Sequence, residues 1–216
     1  MKWKKTVWDI LLAIICFCFL VSFAVVGTLA FRPLYYLDIR ALHISEFSGY
    51  SEEEIKANYN EVIDYELYPF HEELRLPDMP MSEEARIHFQ EVKEIFCFFE
   101  KMLVCTLILG ISGIIWQHRK RNYVYLKIAG VISVIVPAIL GILMAFKWDW
   151  FFDTFHEVMF DNDYWLFNPV TDPIINILPD EFFLHCGCMI VGIIAAGAVI
   201  FWISGTLLAG RYCKHL

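Results

Sequence analysis

VWDILLAIICFCFLVSFAVVGTLAF, residues 7–31, holds a single charged side chain, Asp9. A run this long exceeds the ~20 apolar residues that cross a hydrocarbon core of roughly 30 Å. Three more runs qualify, at Ile95–Trp116, Lys127–Phe146 and Phe182–Ala209. The whole chain, 216 residues, is 58% hydrophobic and 17% aromatic, with a mean hydropathy of +0.53. Soluble domains carry more charge and less apolar bulk, so lipid is part of this chain's solvent. The first run has an apolar stretch too long for a cleavable leader and no small-x-small cleavage site after it, which predicts an uncleaved first span. The expected class is a mainly α integral membrane protein with four transmembrane helices.

Basic residues predict the orientation. MKWKK at the start, HRKRNYVYLK between the second and third runs, and GRYCKH at the end concentrate Lys and Arg. By the bias of those residues toward the cytoplasm, both termini and the 117–126 loop are expected inside, with 210–216 as a cytoplasmic tail. Of 25 acidic residues only Asp9 falls at that end, so the net charge of −8 averages a basic inside and an acidic outside. No basic footprint for nucleic acid is present. The chain is expected as a multi-pass protein of the cell membrane.

Residues 32–94 and 147–181 are then exoplasmic, and their aromatic content suits a packed extracellular cap in two parts rather than disordered tethers. Ser51 followed by acids predicts a capped helix over about 52–65, with Ile55, Tyr59, Val62 and Ile63 on one face. Ser82, with Glu83 and Glu84, predicts a second helix running on into span two. Arg32–His43 alternates in a way that suits a short strand. Asp149–Glu157 reads as a short amphipathic helix, NPVTDP as loop, and Pro179 as lying near the start of span four.

The seven cysteines avoid the exoplasmic segments, so no disulfide framework is expected there. The Cys-x-Cys pairs at 16/18 and 186/188 point about 200° apart on a helix, which suits apolar filler better than metal or redox chemistry. No charged residue sits at mid-span of runs one, three or four, which argues against a carrier; Glu100 and Lys101 in run two fit the outer interface or a helix that enters the membrane later than residue 95.

Seven histidines are candidates for chemistry. His118 and His215 flank basic residues at the cytoplasmic end. His43 and His71 belong to the cap, and His185 lies just inside span four. His88 and His156 differ: each lies within about two turns of an outer membrane boundary, beside phenylalanine and shortly before a glutamate (IHFQEV, TFHEV). An imidazole titrates near neutrality, and a partner carboxylate can fix its tautomer. A metal site is not expected, since His-x-x-x-His and His-Glu-x-x-His spacings are missing and DNDYW lacks the glycine and closing glutamate of a calcium loop. Catalytic histidines and packed interfacial histidines both remain open on these residues alone.

NYNEVIDY (58–65), MSEEARIHFQEVKEIF (81–96) and FHEVMFDNDYWLFNPVTDPIINILPDEFF (155–183) resemble the bacterial lipoprotein intramolecular transacylases, the Lit family. The resemblance covers most of the chain, including span order. It departs where Glu91 stands for an expected aspartate and Met159 for a phenylalanine.

The resemblance implies a membrane acyltransferase acting on a lipoprotein whose N-terminal cysteine carries a thioether-linked diacylglyceryl group. The sn-2 acyl chain would move to the α-amine of the same cysteine, giving a lyso-form lipoprotein. It also implies four helices under an extracellular cap, with His88 and His156 as the catalytic pair on the extracellular side. His156 is expected as the base and His88 as acid or oxyanion partner, with the reverse assignment open. Tyr59, Tyr65 and Trp165 are candidates to wall the substrate chamber, and Asn58, Asn162 and Asp172 to hydrogen-bond within it. No cofactor and no metal are called for, and the partners implied are the lipoprotein substrate and membrane lipid. The competing class is a non-enzymatic membrane accessory or lipid-binding protein.

Overall fold

A computed structural model describes residues 2–213. The side chains of residues 2–5, 136 and 211–213 lie outside that description, so the basic clusters MKWKK and GRYCKH, with His215, do too. The described residues form helices α1 (Lys2–Ala30), α2 (Pro33–Ala41), α3 (Ile44–Ser48), α4 (Glu52–Leu67), α5 (Glu83–Arg119), α6 (Val124–Phe146), α7 (Trp148–Met159) and α8 (Asp180–Cys213), with a 3₁₀ turn at Pro173–Ile177. Among the described residues there is no strand. Four of the helices, over Thr6–Ala30, Glu83–Arg119, Val124–Phe146 and Asp180–Gly210, are long and apolar enough to cross a membrane. Helices suit that solvent because each satisfies its own backbone donors and acceptors where no water is present.

The strand expected over Arg32–His43 is instead helix α2. Pro33 occupies its first turn, where the fixed φ of proline favours a helix and its missing N–H costs nothing. The decisive spacing is Tyr35, Asp38 and Ile39, three and four residues apart and all buried, which is a helical face rather than a strand face. The helix placed after Ser51 is present and runs to Leu67. Ser51 Oγ accepts from the Glu54 amide at 3.3 Å, and the Ser51 amide donates to Glu54 Oε2 at 2.8 Å, a reciprocal capping box. The helix that begins after Ser82 is continuous through Arg119, as its sequence implied.

The chain divides into two compact units, one of Met1–Val25, Phe99–Ile142 and Met189–Leu216, the other of Val26–Phe98 and Leu143–Cys188. In the first unit, α1 keeps Asp9 buried, where its Oδ1 accepts from Gln117 Nε2 at 2.5 Å and Asn122 Nδ2 at 2.6 Å. Two charge-assisted bonds offset the desolvation of that carboxylate. Gly130 lets α6 approach α8 closely: a Cβ there would lie 3.0 Å from the Ala198 carbonyl oxygen.

The second unit has its own apolar core. Tyr35 of α2 stacks on Tyr59 of α4 with ring centroids 3.8 Å apart, and Phe182 of α8 meets both rings edge-on. Ile39, Ile55, Ile174 and Ile177 are buried around them, each contributing roughly 1.5–3 kcal/mol by leaving water. The Tyr35 hydroxyl donates to the Ile177 carbonyl at 2.5 Å, fastening α2 to the 3₁₀ turn. Asp38, one turn on, receives His185 Nδ1 at 2.9 Å to each carboxylate oxygen. Gly49 ends α3 at φ 78°, a left-handed turn that a side chain would strain. Glu66 of α4 is buried at 2% exposure with neither carboxylate oxygen hydrogen-bonded. Burial pushes its pKa up to about 9 against the opposing pull of Lys93, so it is a neutral acid at pH 7.

Candidate active site

Two elements of the second unit carry the histidines. His88 lies in the second turn of α5, whose start is set by Ser82: its Oγ accepts from the Ala85 amide at 3.1 Å. The Ser82 amide in turn donates to Asp172 Oδ1 at 2.6 Å. His156 lies near the end of α7, the short amphipathic helix, which spans Trp148–Met159. The ring centroids of His88 and His156 are 6.0 Å apart, tilted 37° to each other. The two imidazoles are therefore close enough to act on one small group lodged between them.

Aromatic rings enclose both. Phe160 lies 4.7 Å from the His88 ring and 5.8 Å from the His156 ring, and Phe167 meets His88 edge-on at 5.5 Å. Trp165 stacks on His156 at 4.6 Å and 23°, with Phe152 on another side at 4.3 Å. Apolar walls of this kind strengthen charge interactions that form against them by displacing part of the water.

Hydrogen bonding decides which nitrogen of His156 is basic. Its Nδ1 lies 2.8 Å from the Phe152 carbonyl oxygen, an acceptor only, so Nδ1 carries the proton and Nε2 keeps its lone pair. The neighbouring carboxylate of Glu157, one residue on, is exposed and does not fill this role. On a helix, adjacent residues point about 100° apart, whereas the carbonyl four residues back lies beneath the ring. Burial lowers the pKa of His156, and the Phe152 bond with the charges of Asp153 and Asp180 only partly offsets this. The neutral, proton-accepting form therefore prevails at pH 7. His88 is buried at 7% exposure, and its Nδ1 has no hydrogen-bond partner.

Of the other candidates, the structure brings two to this place. Trp165 is the stacked wall already described. Asn162 donates through Nδ2 to Glu91 Oε1 at 2.8 Å, while its Oδ1 receives the Tyr164 amide at 3.0 Å. The remaining four are engaged in the fold of the second unit. Tyr59 is stacked on Tyr35, and Tyr65 meets the His71 ring and the Lys93 ammonium. Asn58 donates to the Glu54 carbonyl and to Asp78, and Asp172 accepts from Ser82 and Thr171. Glu91 is the glutamate that the sequence places three after His88 on one helix, while its bond to Asn162, 71 positions on, carried no local signal. Among the described residues no group of three or more His, Cys, Asp or Glu is placed to hold a metal ion. An apolar groove of about 450 Å³ lies in the first unit, lined by Trp8, Leu11, Leu12, Ile15 and residues of α5. No ionisable group lines it.

Four helices apolar enough to cross a membrane, with two imidazoles beside each other among aromatic rings, describe a multi-pass membrane protein. The family model for the lipoprotein intramolecular transacylase Lit matches residues 10–183, and the chain belongs to that family of enzymes. An in meso structure of the membrane integral lipoprotein intramolecular transacylase Lit from Bacillus cereus is similar, at a TM-score of 0.95 and 29% identity, covering 99% of this chain and 100% of that one. A histidine-to-arginine variant of the Bacillus cereus protein aligns at a TM-score of 0.86 and 30% identity over 100% of this chain and 98% of that one. An uncharacterized protein of Aquifex aeolicus (strain VF5) is 29% identical over 108 residues, 50% of this chain and 48% of that protein. The match thus spans about half the length of this curated relative.

Proposed function

We propose that the protein moves the sn-2 acyl chain of a diacylglyceryl-cysteine lipoprotein to the α-amine of the same cysteine, leaving a lyso-form lipoprotein. The observation that carries this reading is the pairing of His156, basic at Nε2, with His88 across 6.0 Å among aromatic rings. Membership of the family supplies the substrate class.

The steps follow from those two rings. The free amine attacks the sn-2 ester carbonyl; as the C–N bond forms, nitrogen sheds one proton to His156 Nε2. The carbonyl oxygen gains negative charge, which an N–H of His88 stabilises. The C–O bond to glycerol then breaks, and His156 returns its proton to the departing sn-2 oxygen. One imidazole reaches both atoms because both are bound to the same tetrahedral carbon. The balance is one amide gained, one ester lost and one proton moved from nitrogen to oxygen. Amine and ester belong to one molecule, so the site mainly confines a flexible lipid in an attack geometry, an effect worth several kcal/mol.

Orientation follows from the basic residues. With Arg119, Lys120 and Arg121 between spans two and three on the cytoplasmic side, the alternation of spans along the sequence puts the stretches that carry His88 and His156 on the extracellular side. The connections 32–94 and 147–181 then form the extracellular cap.

The test is expression in a host whose lipoproteins are diacylated with a free amine, followed by mass spectrometry of the lipoprotein N-terminal peptide. N-acyl, S-monoacylglyceryl peptide is expected, and it should vanish for His88→Ala and His156→Ala at normal expression. Unchanged diacylglyceryl peptide with the unaltered protein would overturn the activity and favour a lipid-binding accessory. Full activity in one histidine variant would remove that residue from the mechanism.

A further inference from the structure

Glu91 is placed for a task that the fold does not use. It follows His88 by three residues on α5, so both side chains leave one face of the helix within about 5–6 Å of each other at Cβ. One of its oxygens, Oε1, accepts from Asn162 Nδ2 at 2.8 Å. The amide cannot be turned round, because Asn162 Oδ1 is taken by the Tyr164 amide. The second oxygen, Oε2, is buried and has no hydrogen-bond partner. A buried carboxylate oxygen without a donor is costly, and such an atom marks a place where something charged or donating belongs. The segment that holds Oε1 also supplies Phe160 and Trp165, the rings packed on the two imidazoles.

We propose that Glu91 binds the α-amino group of the substrate's N-terminal cysteine through Oε2, aiming the nucleophile at the ester between the imidazoles. This rests on the acyl transfer to an amine set out above. The chemistry matches: an α-ammonium carries three N–H donors and a positive charge, and a carboxylate with one oxygen already anchored offers a fixed acceptor. The anchoring bond from Asn162 keeps Oε2 from rotating away, so the amine arrives in one orientation. The bound ammonium first gives one proton to solvent, leaving the amine held at Oε2; the second proton, shed as the C–N bond forms, goes to His156, and Glu91 forms and breaks no covalent bond. It also selects for a free amine, since an acylated nitrogen brings one N–H and no charge. The product amide is therefore released from the carboxylate that held its precursor.

Two unreactive probes test this: a cysteine peptide carrying a dialkylglyceryl thioether, its sn-2 ester replaced by an ether, with the amine either free or acetylated. Dissociation constants are measured with the full-length protein in detergent. The unaltered protein is expected to bind the free-amine probe about tenfold more tightly. Glu91→Gln, which keeps an acceptor for Asn162, is expected to bring that ratio to about one while leaving the acetylated probe's affinity in place. Equal affinity of the unaltered protein for both probes overturns the proposal without any variant. Equal weakening for both probes in Glu91→Gln, or a preserved preference, overturns it as well. If instead the unaltered protein makes no lyso-form peptide in the expression assay, the activity itself falls, which is a separate outcome.

Discussion

Trp165 lies flat against the His156 imidazole, ring centroids 4.6 Å apart and planes 23° from parallel. Together with the Phe152 carbonyl bond at Nδ1, that contact leaves the basic Nε2 with little freedom of direction. A base held by packing on its face and a hydrogen bond at its rear needs no rearrangement when substrate arrives.

Removing the indole should therefore cost rate more than stability. Trp165→Ala is expected to lower formation of lyso-form peptide by roughly 10²-fold, the scale of an ångström-level misplacement of a catalytic group. Trp165→Phe, which retains a ring, should recover part of that loss. Unchanged rates in Trp165→Ala, measured on purified protein with a synthetic lipopeptide, would show that the stack does not position the base.

The pH profile should have two separable limbs. Burial holds the pKa of His156 below its ordinary 6.5, so its base form persists in mildly acidic solution and is lost only as pH falls further. The substrate amine, with an ordinary pKa of about 8, supplies a higher limb. Lowering the amine's basicity with a modified peptide should shift the upper limb alone. A lower limb above pH 6.5 that ignores the substrate would contradict the assignment of His156.

Glu66 predicts an alkaline loss of stability. Its pKa rises from 4.5 unfolded to about 9 folded. The folded state thus binds the extra proton, and stability declines as pH climbs from about 4.5 to about 9. Glu66→Gln should flatten that decline in thermal unfolding scans across the window. An identical pH dependence in the variant would mean that the carboxyl is not buried and neutral.

Asp172 separates a structural role from a substrate role. Asp172→Ala leaves the Ser82 amide without its acceptor at the start of α5, a cost of about 1–2 kcal/mol. A lower Tm with lyso-form synthesis retained at low temperature is the expected result. Weaker lipopeptide binding at unchanged Tm would return Asp172 to the substrate.

The spans were legible because they depend on bulk composition: in Thr6–Ala30, apolar length alone decides. The α4 start was legible because Ser51 and Glu54 form a local code that needs no distant partner. Arg32–His43 was misread because its short alternation hid a helical face, Tyr35, Asp38 and Ile39, whose meaning depends on Tyr59 and Phe182 far along the chain. His88 and His156 stood out by motif, but the proton's location did not, since the Phe152 carbonyl that fixes it is backbone and carries no residue signature. The Asp38–His185 bond, 147 positions apart, left no local trace at all.

The Tyr35–Ile177 bond joins positions 142 residues apart, and it has a consequence for timing. Val26–Phe98 must wait for Leu143–Cys188 before the second unit can close. While the ribosome is still making the third span, the early half of that unit has no lid of Ile174 and Ile177 to cover its core. His88 is synthesised before His156, and the two cannot meet until α7 has been made. A product cut short before α7 would thus carry His88 without the imidazole that lies beside it in the folded unit.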